Sequence, residues 1–128
     1  MKNAPSFLSL TLSANSAFAN EIVQTCKTPK HTVIVDQISQ NKHRYRAWNR
    51  PKNIQEKPDL ELTSGTSGAM GSGACDIEIY PFKKGTLEIN VNKGVSCSES
   101  ASEVPENLIG ALYVSIKGDI KSHHYCQK

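Results

Sequence analysis

Long hydrophobic runs, a strong charge of either sign and aromatic residues are all scarce in this 128-residue chain. Each scarcity closes off a class of function. No stretch approaches the roughly 20 apolar residues of a membrane helix, so no membrane span is expected. The formal net charge is only +3, far from the basic footprint of a nucleic-acid binder, so no nucleic-acid partner is expected. No C-x-x-C pair occurs, which argues against a zinc ribbon or a thioredoxin-type redox centre. There is no G-x-S-x-G elbow, and the glycine-rich stretch lacks the Gly-Lys-Ser/Thr ending of a phosphate loop. No segment carries a sustained helical period. Neither a cofactor nor a metal is implied.

What is present begins with the N-terminus. Met1–Ala19 reads as a secretory signal peptide: Lys2 supplies a positive end, Phe7–Leu12 a short apolar stretch and Ala17-Phe18-Ala19 an A-x-A cleavage step. The expectation is a periplasmic or secreted single domain over residues 20–128. Four cysteines lie in that part, Cys26, Cys75, Cys97 and Cys126. An even number in an oxidising compartment predicts two disulfides. Of three connectivities, Cys26–Cys126 and Cys75–Cys97 are expected. The first ties the two ends of the domain together, and the second crosses a hairpin.

Strand signals dominate the remainder. His31–Gln37 is β-branched, Lys42–Trp48 follows a polar turn, and Leu60–Thr63 alternates. Asp76–Tyr80, Thr86–Asn92, Gly110–Lys117 and Asp119–Tyr125 complete the set, with Leu87, Ile89 and Val91 on one face of the cleanest strand. Gly85 and Gly118 stand where tight hairpins need positive φ. The fold class is all-β, an antiparallel sandwich or small barrel of about seven or eight strands stapled by two disulfides. Asn49–Pro58 reads as a long ordered connection or an edge, and Ser64–Ala74 as a mobile glycine-rich tip. Glu103–Ile109 allows one helical turn.

No catalytic set is evident. His123 and His124 are neighbours on a strand and point to opposite faces, so a shared metal would need His31 or His43 from elsewhere. Asp76 and Glu78 share a strand face, as solvated carboxylates also do. The most distinctive surface is Lys42–Lys52, where Arg44, Arg46, Arg50 and Lys52 surround Trp48 with no acid among them. Arginine beside an aromatic suits an anion or a sugar, through forked hydrogen bonds and stacking. Arg44, Arg46, Trp48, Arg50 and Lys52 are therefore the candidate contact residues.

The residues Tyr45-Arg46-x-Trp48-Asn49-x-Pro51-Lys52, Lys57-Pro58-Asp59 and Gly71-x-Gly73-x-Cys75 resemble a group of small exported bacterial proteins of uncharacterised function. Size, leader, cysteines and strand pattern are similar to the periplasmic lysozyme inhibitors of the C-type group. That family uses a Ser-Gly-x-x-Tyr loop; Ser67-Gly68-Ala69-Met70 lacks the tyrosine, and Lys84-Gly85 echoes its later Lys-Gly. The resemblance is architectural and carries over no site residue. The expected function is an exported, non-catalytic binding protein for an anionic cell-envelope component or a protein partner. A lysozyme inhibitor acting through Ser64–Ala74 is the alternative, and an exported hydrolase the third.

Overall fold

Nine strands follow one another in the computed structural model, which describes residues 20–70, 77–94 and 108–127. They are β1 (Glu21–Lys27), β2 (His31–Ser39), β3 (Lys42–Asn49), β4 (Leu60–Gly65), β5 (Gly68–Met70), β6 (Ile77–Lys84), β7 (Leu87–Lys93), β8 (Leu108–Ile116) and β9 (Asp119–Gln127). Among the described residues there is no helix, hence none long and apolar enough to cross a membrane. The expected leader, Met1–Ala19, lies outside the described residues, as do Cys75 and Cys97 with their expected disulfide.

The strands form one antiparallel sheet in the order β4-β3-β2-β1-β9-β8-β7-β6-β5. This corrects the expectation of a sandwich or closed small barrel with seven or eight strands. Two strands escaped the sequence reading for physical reasons. β1 carries a bulge between Ile22 and Gln24 that breaks its alternation. β5 is three residues long and begins on glycine, so the expected mobile tip contains strand at 64–65 and 68–70, while its remainder, 71–74, lies outside the described residues. Leu108 and Ile109, expected to close a helical turn, instead open β8.

Hairpin chemistry follows the sequence closely. Lys117 (φ 53°) and Gly118 (φ 84°) are both left-handed, as a two-residue type I′ turn between β8 and β9 requires. Gly85 (φ 61°) opens the turn between β6 and β7.

The sheet rolls so that its two arms face each other. The outermost strands, β4 and β5, are consecutive in the chain, separated only by Thr66 and Ser67. Gly65 at the end of β4 lies against the ring of Phe82 in β6, leaving no room for a Cβ. From one arm Val33, Val35, Tyr45, Ala47 and Leu62 turn inward, and from the other Tyr80, Phe82, Ile89, Val91 and Leu112. Tyr45 and Phe82 meet across the interior with centroids 5.5 Å apart. Burial of these paired faces supplies the hydrophobic driving force that a single open sheet lacks.

The arms join weakly at the centre. Among the described residues, Lys27 with Gln127 is the sole register pair between β1 and β9. The Cys26–Cys126 disulfide sits beside that pair, both residues wholly buried. The expected Cys26–Cys126 bridge is thus present, joining β1 to β9 beside their short backbone ladder.

Candidate functional site

The basic segment lies on β3 and the connection that follows. The strand period puts Arg44, Arg46 and Trp48 on one face, and with Tyr45 and Ala47 in the core that face is the outer one. The neighbouring strand β2 places Asp36 directly opposite Arg44. Arg44 Nε and Nη2 donate to the two Asp36 oxygens at 3.0 and 2.5 Å, a forked pair. Arg46 Nη2 reaches the same carboxylate at 3.4 Å, and its guanidinium lies 5.3 Å from the Trp48 ring centroid. Hydrogen bonding to Asp36 raises the Arg44 pKa above its ordinary value. The anion that this face holds is therefore a carboxylate of the same chain, and Asp36 is only 1% exposed.

Trp48, expected at a contact surface, is instead buried. The polar connection after β3 folds back over it, and the indole N–H donates to the Glu56 carbonyl at 2.8 Å. Arg50 donates to the Thr28 carbonyl at 2.9 Å and Lys52 to Asp59 Oδ1 at 3.0 Å. The connection runs through a cis Arg50–Pro51 peptide. All five candidate residues thus have intramolecular partners. Sequence could not show this, because Asp36 and Glu56 meet the segment only through strand pairing and loop return.

The inner face offers a different site. One end of the rolled sheet is plugged by polar side chains. Gln24 Nε2 donates to the Asn92 and Ile109 carbonyls, each at 3.2 Å, in space left by Gly110. His43 packs tilted on Tyr80, whose hydroxyl donates to Glu78 at 2.6 Å. The other end is a cavity of about 500 Å³. Its walls are Tyr45, Ala47, Leu60, Ile89, Leu112 and Val114, drawn from both arms. Lys30, His31, Asn49, Asp59, Ser122 and His124 also line it. That volume falls in the range of small-molecule sites, about 300–1,000 Å³. Apolar walls with a few convergent polar groups are the usual composition of such sites.

Polar groups in this cavity are unevenly committed. Asp59 accepts from the Asn49 backbone N–H at 2.7 Å and from Lys52. These bonds, the backbone one first, hold its carboxyl below the usual aspartate range. Among the described residues, the Lys30 ammonium has no acidic partner. Burial pushes the Tyr45 phenol upward, so it stays neutral in the wall.

The histidines separate as period two demands. His124 faces the cavity with His31, while His123 stacks outside on Tyr113. His43 sits buried at the plugged end, where desolvation lowers its pKa against the opposing pull of Asp36 and Glu78. No group of three metal-ligating side chains occurs among the described residues. Of the two carboxylates weighed for acid–base work, Glu78 accepts from Tyr80 and Asp76 lies outside the described residues. His31, His124, Ser122 and Asp59 do share one cavity, yet both Asp59 oxygens are already engaged. Inward-facing Ala47 and Val114, among larger side chains, were the only trace of the cavity in sequence, and alternation alone does not reveal unfilled space. The chain matches no family model, no curated protein and no solved structure.

Proposed function

We propose that this is an exported, non-catalytic binding protein that holds a small, mainly apolar molecule with an acidic group inside the rolled sheet. The observation that carries this reading is the cavity of about 500 Å³, walled by apolar side chains from both arms and bearing Lys30, His31 and His124. The apolar part of the ligand gains by leaving water for the Leu60, Leu112 and Val114 surfaces. Its acidic end meets the uncommitted Lys30 charge. The anionic-ligand expectation is kept, with the contact moved from the outer face of β3, where Asp36 already fills that role, to the interior. The buried disulfide favours an oxidising compartment and hence export.

Anilinonaphthalene sulfonate, an aromatic probe with one acidic group, tests the reading. Saturable single-site fluorescence enhancement is expected with natively folded protein. Val114→Phe, which fills the cavity, weakens the probe by about tenfold or more. Lys30→Gln weakens it less and removes the preference for an acidic over a neutral analogue. Absence of saturable binding, or binding indifferent to Val114→Phe, overturns the proposal.

A second reading, ester hydrolysis, draws on the gathering of Ser122, His124 and His31 in the same cavity. Turnover of p-nitrophenyl acetate that disappears in both Ser122→Ala and His124→Ala would favour it over simple binding.

A further inference from the structure

We propose that the outer face of β6–β9 is a second binding site, separate from the interior cavity and built for a neutral saccharide. Strand register assembles it from distant parts of the chain. Pro81, Asn90, Tyr113 and His123 stand opposite one another on four consecutive strands. On one side of this row lies Asn92, and on the other Glu88 faces Ser115. A cavity of about 340 Å³ covers this face, lined by Asn90, Asn92, Glu88, Tyr113 and Ser115, with Ile120 at its edge.

Three observations point to the ligand's chemistry. First, the side-chain oxygens of Asn90 and Asn92 are buried and accept no hydrogen bond, and Asn92 is only 2% exposed. Buried acceptors without donors are rare and costly in native proteins. The two sit two residues apart on one strand face, roughly 7 Å from each other. Rotation about the broad terminal torsion of asparagine turns either amide toward the cavity. A ring of hydroxyl groups supplies donors at such a spacing. Second, Tyr113 and His123 are stacked with centroids 4.2 Å apart and planes 11° from parallel, and Tyr125 meets His123 edge-on at 5.0 Å. Of these rings Tyr113 lines the cavity, and its stacking on His123 fixes it there as an aromatic wall for the apolar C–H face of a sugar. Third, the charged cavity residues Lys83 and Glu88 are direct cross-strand partners and offset each other. A neutral polyhydroxylated ligand fits this balance better than an ion.

The test is a nuclear magnetic resonance titration of the full chain with cellobiose and with the disaccharide of N-acetylglucosamine. Saturable shifts of the Asn90 and Asn92 side-chain amides and of the Tyr113 and His123 rings are expected with at least one of them. Asn90→Ala and His123→Ala each weaken the response about tenfold. Ser115→Phe, which fills the cavity from a partly exposed position, also abolishes it and keeps the test open should Asn90→Ala disturb folding. No saturable shift up to about 20 mM of either disaccharide, a Kd weaker than sugar sites of this kind need, overturns the proposal. So does an affinity that none of these variants changes, which would leave ordered water as the partner of the two amides. Neither result bears on the interior cavity, whose probe is different.

Discussion

Asp36 is the residue around which the outer face of the first arm is organised. It is nearly fully buried, between two arginines each about a fifth exposed. Removing one member of such a group leaves the others desolvated without compensation. Asp36→Ala is expected to destabilise the protein by about 2–4 kcal/mol in urea unfolding. Adding Arg44→Ala to it costs less than the sum of the two single changes, because one interaction is lost in both. Additive losses would show that the pair contributes little. His43 gives a pH signature at the same scale. Its pKa is lowered from 6.5 in the folded protein, chiefly by desolvation. Below that value the unfolded chain takes up a proton that the folded chain resists, so stability falls as the pH drops through the window beneath 6.5. Urea midpoints measured from about pH 7.5 to about pH 5 are expected to decline, and His43→Phe to flatten that part of the profile.

At the scale of the element, the described part of the glycine-rich stretch, residues 64–70, includes the end of β4 and all of β5. Glycines without charge suggest mobility. Here Gly65 ends a strand and gives up its side-chain space to Phe82 of the opposite arm. Gly65→Ala drives a methyl group into that ring and is expected to lower stability by about 1–3 kcal/mol, with partial recovery in the Gly65→Ala, Phe82→Leu double variant. Thermal melts of the three proteins provide the check. The connection between β3 and β4 makes the complementary point. Its prolines and polar residues correctly predict an ordered excursion, but not that it closes over Trp48 and engages Arg50 and Lys52. Those contacts are made to Glu56, Thr28 and Asp59 by side-chain and backbone atoms that no local pattern marks.

For the molecule as a whole, the decisive feature is the join between the two arms. Among the described residues a single register pair links β1 and β9, a short ladder with little cooperative hydrogen bonding. The disulfide beside it has a sequence separation of 100 and encloses every strand from β2 to β8. Closing so long a loop removes much denatured-state entropy, on the order of 4–5 kcal/mol in the chain-entropy account. Replacing Cys26 and Cys126 together with alanine is expected to lower unfolding free energy by about 3–5 kcal/mol, and exposure to reductant in denaturant to reproduce the loss. If unfolding proves insensitive to reduction, the arms are held by interior packing alone.

Sequence by itself determined the all-β class, the antiparallel pairing and the tight turns at Gly85 and Lys117-Gly118, while three cysteine pairings stayed open to it. Each rests on local information: a period of two, a short connection, or a residue that tolerates positive φ. Only the tertiary structure decided that the strands form one rolled sheet, that Asp36 rather than an outside ligand meets the arginines, and that space is left between the arms. Those outcomes depend on which distant side chains come face to face, and on how completely they fill the gap. Alternation of polar and apolar residues is the same whether the enclosed volume is packed or hollow.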